Sequence, residues 1–318
     1  MRSFIAESVT YLHPDKICDQ ISDCIVDACL KQDPFSRVAI ETVGGHGSVA
    51  IYGELTTKAD INIENIVQDY YKLLTNKNIS VKTNVVKQSP QISQGVNTGG
   101  AGDQGVMVGY ACDENDMFIP REMYLSRKLL TGINIDGKSQ VTIVDGKIES
   151  VVLSVQDHSK QQLEQRVKDL GIAVDKVYLN NTGAFTIGGF DADSGCTGRK
   201  IVVDAYGPRV PVGGGAFSGK DATKVDRSAA YMARWIALHL LHMHSAHEVL
   251  VRLGYVIGGD QPLIKQAIID GKETSFDIDC RPEAIIERFD LRKPNFTQTA
   301  KDGHFGFINK YSWENNFK

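Results

Sequence analysis

The chain has 318 residues, a net charge of −4, 42% apolar and 23% charged side chains. That length predicts two or three domains or lobes and a core that stands without staples. The balance excludes wholesale disorder and a global basic field for nucleic acid or anionic lipid. No run reaches the ~18 apolar residues of a membrane span; the most apolar, Trp235 to Leu241, is broken by His239. Met1 to Thr10 carries Arg2 and Glu7 and no apolar signal region, so the expectation is a cytoplasmic protein without membrane or nucleic-acid partners. Cys18, Cys24, Cys29, Cys112, Cys196 and Cys280 form no C-x-x-C pair and read as reduced, mostly buried thiols.

Lys16 to Gln32 reads as a helix, with Ile17, Ile21, Cys24, Ile25, Ala28 and Cys29 at helical spacing. Pro14 suits its first turn and Asp33-Pro34 stops it. Arg37 to Thr42 and Ser48 to Leu55 read as strands around a Gly-rich turn. Asp60 is the expected cap of a second helix carrying Ile63, Ile66, Val67, Tyr70 and Leu74, and Ile79 to Val86 follows as a strand. The order helix, strand, strand, helix, strand then recurs. Arg121 to Leu130 is helical, Gln140 to Val144 and Lys147 to Val155 form a hairpin about Asp145-Gly146, Gln161 to Leu170 is helical and Lys176 to Leu179 a strand. A third round has a helix from Arg227 to about His244, strands at Val249 to Ile257 and Leu263 to Ile269, and a helix near Pro282 to Phe289. The expected fold class is α+β: three similar α/β units, at 1–96, 97–181 and 182–318, whose spatial domains need not be continuous in sequence. One irregular α+β domain is the other reading.

Glycine-rich stretches lie between the units. Gly100 to Gly105 matches G-x-G-x-x-G, but polar loop precedes it and a strand, Val106 to Ala111, follows, which excludes a dinucleotide fold. Gly214 to Lys220 matches G-x-x-x-x-G-K, but Asp221 replaces the Ser/Thr that would hold Mg²⁺, and no strand precedes. What survives is a glycine-rich backbone followed by Lys220 and Lys224, suited to polyphosphate, or else a surface turn. His13-Pro14-Asp15-Lys16 opens the first helix, where free N–H groups and the dipole favour an anion; a simple capped start is the alternative. In this motif His13 is placed to donate to a leaving oxygen, Asp15 to hold a divalent metal and Lys16 to meet phosphate. Arg199, Lys200 and Lys138 add cations, and Glu7, Glu41, Asp103, Asp193 and Asp226 add carboxylates. Local cations among carboxylates are what a Mg²⁺–polyphosphate ligand requires. His239, His242, His244 and His247 lack a zincin pattern and read as a helix face or intersubunit surface.

Together these segments closely resemble the S-adenosylmethionine synthetases (methionine adenosyltransferases) from Glu7 to Trp313. The matching motifs are Glu7-Ser8-Val9, His13-Pro14-Asp15-Lys16, Gln88-Ser89-Pro90, Gln94-Gly95-Val96, the hexapeptide Gly100 to Gly105, Gly213 to Asp221, Lys224 to Ser228 and Gly303 to Gly306. The resemblance implies three α/β units with pseudo-threefold symmetry, ATP and L-methionine as substrates, two Mg²⁺ per site and K⁺, and a homodimer or dimer of dimers with its active site at the subunit interface. It implies that methionine sulfur attacks C5′ of ATP, and that the triphosphate released is cleaved to pyrophosphate and phosphate. By resemblance, His13 lies near the leaving oxygen, and Lys138, Arg199, Lys200 and Lys220 line the triphosphate. These five form the expected catalytic set. Asp136, Phe185, Asp193 and Ala216 complete the ATP-binding set, Phe185 as the ring stacked on adenine. Glu54, Gln94, Asp193 and Lys224 match methionine-binding positions, Asp15 and Asp226 the Mg²⁺ positions, and Glu41 the K⁺ position. The chain departs from the family in a short connection between Val96 and Gly100, a short segment before Asp136, and Asn181, Ala184 and Val212 at positions usually Pro, Arg and His.

Overall fold

The computed structural model describes residues 2–88, 99–315 and 317. The first third runs β1 (Ser3–Val9), α1 (Pro14–Gln32), β2 (Arg37–Gly45), β3 (Ser48–Thr56), α2 (Ile63–Thr75) and β4 (Ser80–Val86). Next come β5 (Gly105–Cys112), α3 (Arg121–Leu130), β6 (Gly137–Val144), β7 (Lys147–Val155), α4 (Lys160–Asp169) and β8 (Lys176–Leu179). The last third has β9 (Gly195–Cys196), α5 (Ile201–Asp204), α6 (Val225–His244), β10 (Glu248–Tyr255), β11 (Ile264–Ile269), β12 (Lys272–Thr274), α7 (Pro282–Phe289) and α8 (Phe296–Asp302). The α+β class and the three-fold recurrence of the pattern stand.

Local chemistry explains most elements. Pro14 sits at the start of α1, where its missing N–H costs nothing. Left-handed Asp145 and Gly146 (φ 46° and 82°) close the β6–β7 hairpin, the turn that matches strand twist. A capping box, Ser159 with Gln162, starts α4. The cap of α2 is Asn62, not Asp60. A cap must reach the N–H three residues on, and Asn62 accepts from Asn65 N–H (2.9 Å). The Asp60 backbone instead exchanges hydrogen bonds with Gln32.

The three sheets are built alike. Their orders are β4-β3-β2-β9, β8-β7-β6-β1 and β12-β11-β10-β5. A hairpin forms the centre of each. In the first two the strand after a helix returns parallel to the hairpin, β4 beside β3 and β8 beside β7. The fourth strand of each sheet is supplied from elsewhere, always antiparallel: β1 pairs with β6, β5 with β10 and β9 with β2. Each strand that precedes a unit's first helix therefore joins the sheet of the following unit, and the third returns to the first. This cyclic exchange locks the three units together.

Helices cover one face of each sheet. Ile17, Ile21 and Ile25 of α1, Ile40 and Ile51 of the first hairpin and most of α6 share one core, while Val141, Val151, Leu153 and Leu163 centre a second. All six cysteines are free, five of them buried. No helix among the described residues is long and apolar enough to cross a membrane. Two histidines of the cluster hold Phe317: His239 Nδ1 meets the Phe317 carbonyl (2.9 Å), and His242 stacks on the Phe317 ring.

Two arginines of α6, Arg227 and Arg234, are fully buried. Arg234 pairs with Glu314 (2.9 and 3.1 Å) and donates to the Tyr110, Met117 and Phe118 carbonyls. Removing one partner of such a pair strands a buried charge. Glu314→Gln is expected to cost ~3–5 kcal/mol, read by denaturant unfolding; a loss under ~1 kcal/mol would contradict this role.

Candidate functional site

The first turn of α1 is the centre of the site. Asp15, 1% exposed, has both carboxylate oxygens occupied. Oδ1 accepts from Cys196 N–H (3.0 Å) and Arg199 Nε (2.7 Å), and Oδ2 from Lys200 Nζ (2.5 Å). Burial pushes this carboxyl up, but Lys200 and the Cys196 N–H outweigh it and hold it below the ordinary carboxylate value. Contact is this close because β9 crosses directly over the helix start. A Cβ on Gly195 would lie 2.1 Å from the Pro14 carbonyl oxygen, so only glycine fits.

His13 caps α1, and its Nδ1 accepts from Asp15 N–H (3.2 Å). Its pKa is pushed down to about 4, by burial first and then by Lys200 and Lys138, against the pull of Asp15 and Asp193. Four other predicted site residues thus act electrostatically on this one imidazole. Lys138 reaches it from β6, where Nζ also pairs with Glu7 (2.8 Å). Asp193 is exposed on the loop before β9. Asp136 is buried and holds that loop by accepting from Gly189 N–H (2.8 Å); burial raises its pKa. Phe185 is half-buried, with its carbonyl accepting from Asp157 N–H (2.8 Å).

A second carboxylate–cation pair stands nearby. Lys220 Nζ meets Asp226 Oδ2 (2.6 Å) at the start of α6. Gly215 lies against Asp226, and a Cβ there would be 2.1 Å from the carboxylate carbon. Ala216, next in sequence, packs under Gly198, which precedes Arg199 and Lys200. The two pairs therefore belong to one surface. It continues into a cavity of about 320 Å³ whose walls include Glu41, Tyr52, Glu54, Ala216 and Lys220.

Three predicted residues are placed otherwise. Lys16 does not face the site: it is 3% exposed and pairs with Asp204 (2.7 Å) and Asp19 (3.1 Å), because a buried ammonium requires carboxylate partners. Lys224 is buried on Asp221 (2.6 Å) and is not among the walls of the Glu54 cavity. Asp103 is exposed and accepts from Gln104 N–H (2.7 Å). Gln94, and with it the connection through Asn97 and Thr98, lies outside the described residues.

Sequence reasoning missed the residues that hold the cations in place. Asp19 accepts from Gly198 N–H (2.8 Å) and Asp23 from Gly219 N–H (2.8 Å), each just ahead of a site cation. Asp23 also pairs with Arg227 (2.7 and 2.6 Å), which donates to the Lys220 carbonyl (2.8 Å). The available signal was aspartate at every fourth position of α1, which stacks the carboxylates on one face.

Family models for the S-adenosylmethionine synthetase N-terminal, central and C-terminal domains match residues 1–94, 98–185 and 187–315. An S-adenosylmethionine synthase of Brachyspira hyodysenteriae is 40% identical over 376 aligned positions, covering 98% of this chain and 95% of the relative. One from Bifidobacterium adolescentis is 38% identical, covering 97% and 95%. The aligned positions outnumber this chain's 318 residues, so the relatives carry internal segments that it lacks.

The geometry around His13 sets a titration. An imidazole with its pKa lowered from 6.5 to about 4 is neutral in the fold above that value. The unfolded chain binds the extra proton first, so this contribution to stability is lost as pH falls from about 6.5 toward 4. Lys200→Gln removes a cation that pushes the value down, so the His13 resonance in an NMR titration is expected to shift to higher pKa. An unchanged or lower value would contradict the placement.

Proposed function

This chain belongs to the S-adenosylmethionine synthetase family, and from that premise we propose how it makes S-adenosylmethionine at the site around Asp15. Methionine sulfur attacks C5′ of ATP, and the released triphosphate is then cleaved to pyrophosphate and phosphate. The observation that carries this assignment is the pairing of two carboxylates with three cations on one surface: Asp15 with Arg199 and Lys200, and Asp226 with Lys220. A Mg²⁺–triphosphate offers partners to both halves of that arrangement, with metal for carboxylate and phosphate for cation.

Sulfur is nucleophilic without a base. The obstacle is the charge that develops on the leaving triphosphate, so positioning and electrostatic stabilisation supply the acceleration. Lys138, Arg199, Lys200 and Lys220 bind the triphosphate oxygens. His13 is neutral, and its Nδ1 is used as an acceptor, which leaves Nε2–H to donate to the oxygen departing C5′. Asp136 orients the loop carrying Asp193 toward the nucleoside, with Phe185 stacked on adenine and Ala216 against the nucleotide. Glu54, with Gln94 and Asp193, receives the amino acid.

The metal-dependence of the family fits the donors present. Mg²⁺ is characteristically bound by one or two carboxylates with substrate phosphates completing its shell. The described residues contain no group of three or more acidic, His or Cys side chains able to hold an ion alone. Asp15 and Asp226 each offer one carboxylate to a Mg²⁺, and Glu41 offers one to K⁺. When bound, these ions neutralise phosphate charge.

Exposed apolar residues on the sheets support the proposed assembly. Ile5 on β1, Tyr52 on β3, Val106 on β5 and Ile264 on β11 are 46–52% exposed, one or more on each of the three sheets, and are available to a second copy. Tyr52 also walls the cavity beside Glu54 and Lys220, which supports a site shared with a second copy. The proposed unit is a homodimer or dimer of dimers with shared sites, in the cytoplasm.

The direct test mixes the protein with ATP, Mg²⁺, K⁺ and methionine. Methionine-dependent S-adenosylmethionine with equimolar pyrophosphate and phosphate is expected. Phosphate release with ADP, indifferent to methionine, would overturn the reading. His13→Ala is expected to lower synthesis ~10²–10³-fold while sparing hydrolysis of added triphosphate; near-parental synthesis would remove His13 from the mechanism. Specific activity should fall on dilution in step with dissociation measured by light scattering, and a fully active monomer would refute the shared site.

A further inference from the structure

A second cavity, about 460 Å³, lies between the end of β1, α3 and the end of α8. It exceeds the 320 Å³ cavity at Glu54 and shares none of its residues. Met117, Ile119, Ile133 and Phe307 give it apolar walls. Concave, mostly apolar spaces of this size with a few convergent polar groups are the usual form of small-molecule sites.

The polar groups are strongly one-signed. Arg127, Lys128 and Lys301 line the cavity, and Asp302 is its only carboxylate among the described residues. Asp302 is already paired with Lys310. Lys128 and Lys301 have no carboxylate partner among the described residues. Each lies over a tyrosine ring instead, Lys301 over Tyr11 (4.5 Å) and Lys128 over Tyr124 (5.6 Å). Arg127 donates to the Phe305, Val203 and Ala205 carbonyls, and burial lowers its pKa to about 10. Asp204 and Glu314 act on Arg127, whereas the two lysines keep their charge without a carboxylate partner, and an apolar space bordered by such lysines favours an anion.

We propose that this cavity is a second ligand site, taking a small organic anion, a carboxylate, sulfonate or phosphate, with an aromatic or aliphatic body. The body packs against Ile133, Phe307 and the tyrosine rings, and the anionic group meets Lys128 and Lys301. Its walls lead into the candidate active site along two routes. Thr10 accepts from His13 N–H (3.1 Å) and exchanges backbone and side-chain hydrogen bonds with Gly137, beside Lys138. Arg127 holds the carbonyls of Val203 and Ala205, just beyond Lys200. The cavity walls are thus hydrogen-bonded through Thr10 and Arg127 to the segments that carry His13, Lys138 and Lys200.

The test uses the whole protein and 8-anilinonaphthalene-1-sulfonate, an anionic aromatic probe, with neutral N-phenyl-1-naphthylamine as its charge control. Binding is read by fluorescence titration without turnover, so the outcome is independent of the adenosyl-transfer reading. Saturable binding with one site per chain is expected, undisplaced by a non-hydrolysable ATP analogue with methionine. Lys128→Glu with Lys301→Glu should weaken the sulfonate at least about tenfold, equivalent to roughly 1.4 kcal/mol, and leave the neutral probe within about twofold. Lys128→Gln with Lys301→Gln should give an intermediate loss, and thermal melts of both variants should match the parent. Sulfonate affinity unchanged by charge reversal, displacement by the ATP analogue, or absence of saturable binding would each overturn the proposal.

Discussion

Four aspartates on one face of α1 organise the molecule. Asp15, Asp19, Asp23 and Asp27 recur every fourth residue, and each accepts backbone N–H groups from the distant C-terminal third. Asp15 takes Cys196, Asp19 takes Gly198, Asp23 takes Gly219, and Asp27 takes Phe296 and Thr297. Like charges at this spacing repel along a helix, and three of the four are at most 1% exposed. They persist because charge-assisted bonds satisfy them, with Arg199 and Lys200 on Asp15, Lys16 on Asp19 and Arg227 on Asp23. Withdrawing a partner would leave a buried carboxylate exposed to its own desolvation cost. The loops bearing the site cations are therefore fixed by the same bonds that complete the core.

This arrangement explains why so many glycines surround the site. Gly195 passes over the Pro14 carbonyl and Gly215 passes beside the Asp226 carboxylate, both at distances a side chain would block. The cations are long and end in donors, whereas the carboxylates that oppose them are short and held. In the proposed reading, a polyphosphate with its metal would meet preset partners, and little of its binding energy would be spent on ordering the loops that carry Arg199, Lys200 and Lys220.

Hairpins and helices were legible because their signals are local. Asp145-Gly146 marks a turn, Pro14 a helix start, and apolar spacing sets the buried faces of α1 and α6. The exchanged strands were not. Val106 to Ala111 reads as a strand, but nothing local says that β5 pairs with β10 rather than within its own unit, and two-residue β9 has no pattern at all. The charged motifs point to the region of the candidate site, yet charge alone does not separate cations near Asp15 and Asp226 from buried ones. Lys200 and Lys16 look alike in sequence. One meets Asp15 at the first turn of α1, and the other is consumed by Asp204 and Asp19. Asp60 and Asn62 both suit the role of cap, and the choice depends on where the helix begins.

The claim that the α1 aspartates hold the cation-bearing loops is tested most directly by amide hydrogen exchange in Asp19→Ala. Loss of one charge-assisted bond should speed exchange of the Gly198 amide about 10–100-fold. The Phe296 and Thr297 amides, held by Asp27, should keep their parental protection. Unchanged protection at Gly198, or equal acceleration at all these amides, would contradict the account.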